Sequence, residues 1–211
     1  FTNPARVALI AHHILEYHNT KTRNRQYTAL FAVSSVPMLI AYYKMFKQIK
    51  HDLKISAVYT YGANEDAEFR DEHSRDALED IIADYNKMFG TSYSTDTFGA
   101  YASDLMKKIK TAQVDIVIVV GMMLTGFDSK PLNTLYVDKN LEYHNLLQAY
   151  SRTNRVEQST KPFGNIVCYR NLKNNTDDAI RLFSQTGQVD DVLIKDMRYY
   201  LDLFRKKLAV L

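Results

Sequence analysis

Asp115-Ile-Val-Ile-Val-Val120 is the stretch that decides the fold, because almost every residue in it is apolar and β-branched. Such side chains favour strands, and a strand without polar alternation is typical of a parallel sheet covered on both faces. We therefore expect residues 115–120 to form the middle strand of a parallel sheet.

Helical patterns alternate with further apolar runs along the chain. Beside 115–120, strands are predicted at 28–33, 54–61, 132–137 and 165–169. Apolar residues recur at helical spacing in the segments 5–18, 36 to about 50, 78–88, 98–110, 143–155, 177–183 and 190–211. Strands that alternate with helices predict an α/β fold with a doubly wound parallel sheet.

The composition is that of a globular chain with one substantial core. It has 211 residues, 46% of them hydrophobic, and no apolar run approaches the length of a membrane span. The single cysteine, Cys168, lies in an apolar run, which predicts a buried strand thiol and fits a reducing, cytoplasmic location. The chain begins at Phe1 without methionine, so we expect a fragment of a longer protein.

Charge is distributed unevenly. Residues 61–104 carry 3 Lys and Arg against 11 Asp and Glu, whereas the segments on either side are basic. The acidic part is either a functional insert or a solvated helical excursion without a specific role.

The loop after the central strand reads Gly121-Met-Met-Leu-Thr-Gly-Phe-Asp128. Ligands of open parallel sheets gather beyond the carboxyl ends of the strands. Gly126 allows close backbone approach, Thr125 offers a hydroxyl to a phosphate, and Asp128 can accept hydrogen bonds from a ribose or a basic side chain. The alternative is a strand-to-helix turn with an aspartate cap.

A predicted helix further on carries Gln148-Ala-Tyr-Ser-Arg-Thr-Asn-Arg155. Gln148, Arg152 and Arg155 are spaced by four and three residues, which places them on one helical face. Two guanidiniums on one face suit the oxygens of a triphosphate. The alternative is a solvated face whose arginines pair with Glu157 or Asp138.

These segments resemble a known family. Thr125-Gly126-x-Asp128 is similar to motif V of superfamily 2 helicases, and Gln148-x-x-Ser151-Arg152-x-x-Arg155 to motif VI, where most members have glycine at the position of Ser151. Together with Leu-Tyr-Val-Asp-Lys139, the sequences of these two motifs resemble the motor subunit of type I restriction endonucleases. The resemblance extends over about residues 1–172. The resemblance implies a RecA-like second motor domain at 26–172 with an acidic helical insert at about 62–95. A lead-in helix and linker would occupy 1–25, and a helical C-terminal extension would begin at 173.

The resemblance also implies roles for residues. Arg152 and Arg155 would be catalytic and reach the γ-phosphate of ATP, with Arg155 as the arginine finger. Gly126, Asp128 and Gln148 would bind the nucleotide. Thr125, Ser34 and Ser35 would hydrogen-bond the DNA backbone, and the two serines also suit a helix N-cap, so both roles can hold.

A complete motor needs a phosphate cradle with a Gly-Lys pair, and this sequence contains no Gly-Lys pair. We therefore expect ATP and Mg²⁺ to be held mainly by a partner domain absent from this chain, which would be inactive alone. Asp71-Glu72-His73 does not end an apolar strand and is not interpreted as a magnesium box. His12, His13 and His18 are interpreted as a helix surface, and no metal site is predicted.

The partners implied are double-stranded DNA, the N-terminal RecA-like and nuclease domains of the parent chain, and the modification and specificity subunits of a restriction complex. No membrane partner is expected. Three alternatives stay open at this point: the C-terminal domain of another superfamily 2 DNA helicase, a stand-alone nucleotide-binding α/β domain, and a non-enzymatic scaffold.

Overall fold

A computed structural model describes residues 3–59, 72–124, 126–155 and 161–183, with residues 201, 205 and 206. The chain divides into two compact units. The first comprises residues 1–140 and 148–171, and the second comprises residues 141–147 and 172–211. Much of the predicted helix at 190–211 and the start of the acidic segment lie outside the described residues.

Strands and helices alternate, as the sequence predicts. The helices are α1 Pro4–Lys21, α2 Val36–Gln48, α3 Glu72–Phe89, α4 Phe98–Lys110, α5 Tyr143–Ser151 and α6 Lys173–Phe183. The strands are β1 Thr28–Val33, β2 Ile55–Tyr59, β3 Ile116–Val120, β4 Leu132–Asp138 and β5 Asn165–Cys168. A short 3-10 helix, Thr95–Thr97, precedes α4.

The five strands form one parallel sheet in the order β2-β3-β1-β4-β5. This confirms the expected α/β fold, a RecA-like parallel sheet flanked by helices. The prediction that residues 115–120 form the middle strand was wrong. They form β3, which is interior, but β1 occupies the centre, between β3 and β4. Both strands are almost wholly apolar, and a continuous apolar run indicates cover on both faces without giving the order of strands.

Local capping sets the starts of the first two helices. The Asn3 side chain accepts a hydrogen bond from the backbone N–H of Ala5, and Pro4 occupies the first turn of α1. Ser35 caps α2 in the same way by accepting from the Met38 N–H at 3.4 Å. Both caps satisfy donors that have no partner within the helix. The N-cap role considered for Ser35 is therefore present.

Aromatic side chains fill much of the core, and their hydroxyls are paired. The Tyr101 hydroxyl donates to the Ala57 carbonyl oxygen at 2.6 Å, and the Tyr85 hydroxyl donates to Asp104 at 2.7 Å. Tyr59, from β2, donates to the Ser74 carbonyl of α3. With the buried Leu78 and Ile82, this bond packs α3 onto the sheet, so the acidic segment contributes a core-facing helix.

The most constrained polar group is the Asp138 carboxylate, which is fully buried at the carboxyl end of β4. Arg6 of α1 donates to both its oxygens, at 2.6 and 2.7 Å. Arg170, after β5, donates through Nε at 2.7 Å, and the Tyr42 hydroxyl of α2 donates at 2.6 Å. Burial alone would raise the pKa of Asp138, but these hydrogen bonds outweigh it and hold the pKa below its usual value.

Two expectations about exposure were wrong. Cys168 is exposed, because β5 lies at the edge of the sheet and pairs with β4 alone among the described strands. His18 is fully buried, although a surface helix was expected. Its Nε2 has no hydrogen-bond partner within the described part of the chain, and burial lowers the pKa of the imidazole to about 4.

Replacing Asp138 with asparagine is expected to destabilise the fold. The D138N change leaves Arg6 and Arg170 without their counter-charge, and breaking a buried pair typically costs about 3–5 kcal/mol. Because both guanidiniums are partly exposed, at 33% and 26%, we expect a smaller loss, about 2–3 kcal/mol. Urea unfolding followed by circular dichroism measures it. As a control, D52N removes an exposed partner of Arg25 and should change the midpoint little.

His18 is expected to make the fold less stable as the pH falls. The unfolded chain takes up a proton near pH 6.5, whereas the folded chain does so only near pH 4, so folding excludes a proton between these values. The free energy of unfolding should therefore drop by about 2 kcal/mol between pH 7.5 and pH 5 from this group. H18L should flatten that part of the profile, and H12L, at an exposed position of the same helix, should not. Equal slopes in wild type and H18L would contradict the assignment.

Candidate functional site

The connection between β3 and β4, residues 121–131, crosses the domain without a helix. Because both strands run parallel to β1, it leaves the carboxyl end of β3 and arrives at the amino end of β4. Gly126 has φ of +70°, a left-handed conformation that favours glycine, and it is exposed. Phe127 is buried and anchors the connection, which leaves Asp128 facing solvent. Thr125 lies outside the described residues.

Helix α5 is shorter than the sequence indicated. It ends at Ser151, and the next amides bond three residues back, from Arg152 to Ala149 at 3.2 Å and from Thr153 to Tyr150 at 3.2 Å. Thr153 is buried, and its hydroxyl donates to the Tyr150 carbonyl at 3.0 Å. Tight final turns and side-chain donors satisfy the last helical carbonyls and end the helix here. The prediction that Arg155 shares a helical face with Arg152 was therefore wrong.

Arg152 joins the end of α5 to the β3–β4 connection. Its Nη1 donates to the Phe127 carbonyl oxygen at 2.7 Å, and its Nε donates to the Gln148 carbonyl oxygen at 3.1 Å. Ser151 also donates to that carbonyl, at 2.8 Å, and the Gln148 side chain is half-buried. The guanidinium of Arg152 is thus oriented by two backbone acceptors.

Arg155 reaches the same connection by a different contact. Its Nη2 lies 2.6 Å from Oδ2 of Asp128, and the two side chains are 58% and 53% exposed. Exposed ion pairs contribute about 0–1 kcal/mol, so exchanging either partner for another charged group costs little. The arginines do not pair with Asp138, one of the two carboxylates considered, because Arg6 and Arg170 occupy it. The other, Glu157, lies outside the described residues.

Five of the predicted site residues therefore meet in one place. Gly126 and Asp128 lie on the connection, and Gln148, Arg152 and Arg155 approach it from α5 and the segment after it. Ser34 and Ser35 are elsewhere, at the carboxyl end of β1, where Ser34 is exposed and Ser35 caps α2.

Two supporting residues carried no recognisable signal in the sequence. Lys161 is buried, and its Nζ donates to the carbonyl oxygens of Lys130 at 3.0 Å and Leu132 at 2.7 Å, which fixes the end of the connection. Gly164 packs against Thr153 so closely that a Cβ there would lie 2.7 Å from the Thr153 carbonyl oxygen. Both contacts join segments that are remote in the sequence, so local patterns do not reveal them.

The donor set suits phosphate rather than a metal ion. Guanidiniums and backbone amides bind anions well. Among the residues that the structure describes, no group of three His, Cys, Asp or Glu side chains could hold a metal. None of the helices in the described part of the chain has both the length and the apolarity needed to cross a bilayer.

Residues 25–171 match the family model for "Type I restriction enzyme subunit R domain 3". The chain belongs to this family. The match confirms the resemblance drawn from the motif V and motif VI residues. It covers the whole sheet and residues 152–155, which contain both site arginines.

Curated relatives extend the similarity over nearly the entire chain. It is 55% identical over 217 residues to the "Type I restriction enzyme SsaAORF53P endonuclease subunit" of Staphylococcus saprophyticus, covering 98% of this chain. It is 49% identical over 215 residues to the corresponding SauCOLORF180P subunit of Staphylococcus aureus, covering 95% of this chain. In both cases it spans 23% of the relative's length.

Solved structures show weaker similarity. The Mycobacterium smegmatis helicase Lhr bound to ssDNA and AMP-PNP aligns with a TM-score of 0.49 and 10% identity, over 85% of this chain and 19% of that one. Domain 2 of the DEAD-box helicase Mss116p, bound to an RNA duplex, aligns with a TM-score of 0.44 and 14% identity, over 88% and 57%.

Replacing Gly164 with alanine should disturb residues 152–155, which contain both candidate site arginines and Thr153. The added methyl overlaps the Thr153 backbone, which cannot rotate away as a side chain can, so we expect a loss of about 1–3 kcal/mol in the free energy of unfolding. As the matched control, G99A adds a methyl within α4 where nothing lies within 4 Å, and it should be neutral or slightly stabilising. Thermal melting of both variants separates them, and equal melting temperatures would refute the close packing.

Proposed function

We propose that this domain is the second motor domain of an ATP-dependent double-stranded DNA translocase in a type I restriction enzyme. The observation that supports this most is the convergence of Arg152 and Arg155 on the Gly126–Asp128 segment. Two segments that resemble separate motor motifs meet there. The guanidinium of Arg152 is oriented by backbone carbonyls, and that of Arg155 is exposed.

In this proposal Arg155 is the arginine finger. Its planar fork suits phosphate oxygens, and among the described residues it pairs with the exposed Asp128 carboxylate. Turning from Asp128 to a γ-phosphate presented by a neighbouring domain would exchange one ion pair for another. A positive charge placed where negative charge develops in the transition state lowers the activation barrier. This accounts for the large effect of arginine fingers on the rate.

The other residues would shape the nucleotide contact. Arg152 supplies a second positive charge and holds the connection through the Phe127 carbonyl. Asp128, once released by Arg155, can accept a hydrogen bond from the ribose, and Gly126 allows the backbone to approach the phosphates. Gln148, at the start of the motif VI segment, would orient the nucleotide or the arginines.

Part of the DNA contact would lie apart from the nucleotide contact. Ser34 is exposed at the carboxyl end of β1, and Ser35 can bind through its backbone while its side chain caps α2. With Thr125, these residues would hydrogen-bond phosphates of the duplex. Backbone contacts do not read sequence, which is what movement along DNA requires.

The rest of the motor would come from outside the proposed domain, residues 26–172. A partner domain would hold most of ATP and the Mg²⁺, and the domain alone would be inactive. We further propose that the parent chain adds an N-terminal RecA-like and a nuclease domain. Modification and specificity subunits complete the proposed assembly, which acts in the cytoplasm.

Replacing Arg155 with alanine in the full-length protein should lower DNA-stimulated ATP turnover by about 10²-fold or more. Because the lost ion pair is exposed, the melting temperature should barely change. A coupled ATPase assay with and without duplex DNA measures the effect. R155K, which keeps the charge and loses the fork, should recover only part of the activity.

The matched control is R75A, which removes a similarly exposed arginine, paired with Asp96, on α3. It should leave turnover unchanged. Near-normal turnover in folded R155A would eliminate the arginine-finger role.

A further inference from the structure

Three strand ends lie side by side at the carboxyl edge of the sheet, in the order β1, β4, β5. Val33 pairs with Asp138, and Val137 pairs with Cys168. The residues that follow are therefore also neighbours along this edge: Ser34 after β1, Lys139 after β4, and Tyr169 with Arg170 after β5. The Tyr169 amide donates to the Val137 carbonyl oxygen at 2.8 Å, which extends the alignment one residue past β5.

This edge carries an excess of positive charge. Arg6 and Arg170 both bind the single Asp138 carboxylate, so one of their two charges is not neutralised there. Lys139 adds a further positive charge directly after Asp138. Two cations at one buried anion, with Lys139 next to that anion in the chain, favour the approach of a negatively charged ligand.

Lys139 is the cation whose position is hardest to explain by the fold alone. It is half-buried, and among the described residues its ammonium group has no hydrogen-bond acceptor and no ion-pair partner. Burial lowers the pKa of this ammonium. A partly desolvated charge without a partner costs free energy, so an external anion would recover part of that cost.

We propose that Lys139, together with Ser34, binds a phosphate of the DNA backbone at the carboxyl edge of the sheet. This rests on the proposed function, because it assumes duplex DNA as the ligand. The nucleotide is a less suitable source of the phosphate. Its proposed contacts are Asp128, on the connection that runs to the amino end of β4, and Arg155, which pairs with Asp128.

The arrangement suits a duplex. A serine hydroxyl and a lysine ammonium can each donate to one phosphate, and the exposed Ser34 leaves the site open to a large ligand. Arg6 and Arg170 would act as positioning residues, since they hold the end of β4 through Asp138.

The test is the salt dependence of duplex DNA binding by the full-length protein, measured by fluorescence anisotropy. Each phosphate contact contributes about 0.9 to the slope of log K against log salt, so K139Q should reduce the slope by about 1. The loss of affinity should be the same for duplexes of unrelated sequence. K107Q removes an exposed lysine at the far end of α4, towards the amino edge, and should keep the wild-type slope.

Two further measurements separate binding from folding. K139M removes the desolvated charge and keeps the length of the side chain, so it should retain or raise the melting temperature while weakening DNA binding. In a double-mutant cycle, S34A and K139Q should be non-additive, because both remove donors to one phosphate.

A wild-type slope in folded K139Q, or an equal loss in K107Q, would overturn the inference and leave the proposed motor intact. A raised KM for ATP with an unchanged DNA slope would also overturn it, by assigning Lys139 to the nucleotide. Failure of the wild-type protein to bind duplex DNA would instead refute the proposed function itself.

Discussion

The buried carboxylate of Asp138 is the group around which this domain is organised. An ionised carboxylate removed from water is costly unless it is paired and hydrogen-bonded, so the end of β4 can be buried only where donors surround it. Here they come from α1, α2 and the segment after β5, through Arg6, Tyr42 and Arg170. One polar requirement thereby joins segments up to 132 residues apart and fixes the carboxyl edge of the sheet.

The opposite end of β4 is held by hydrogen bonds from cationic side chains to backbone carbonyl oxygens. Lys161 donates to two backbone carbonyls, and Arg152 donates to a third on the same connection. Arg155 alone is held by an exposed carboxylate, and that difference leaves it suited to exchange partners. Cationic side chains thus contact both ends of β4, a suitable arrangement for the proposed contacts with a nucleotide and a duplex.

Family membership and geometry support each other. The match to domain 3 of type I restriction enzyme R subunits covers residues 25–171, the part that contains all five strands and both arginines. In the staphylococcal relatives the matching region is 23% of the length, so this chain corresponds to one part of a longer protein in those relatives.

Much of this was accessible from the sequence. A continuous β-branched run located the interior strand β3, helical periodicity gave α4 to the residue, and the spacing of Gln148, Arg152 and Arg155 indicated the family. These features are local, since hydrogen bonding within a helix and side-chain alternation along a strand depend on near neighbours. The sequence by itself therefore determined the type and approximate position of the elements, the parallel sheet and the membership of the family.

Only the tertiary structure decided the order of the strands, the exposure of Cys168, the burial of His18 and the end of α5 at Ser151. Each depends on residues far away in the chain. The segment at the end of α5 is held by the Phe127 carbonyl and the close approach of Gly164, and the charge of Asp138 is balanced by Arg6. Local patterns do not record such partners, because long-range packing and charge compensation are settled only when the elements meet in space.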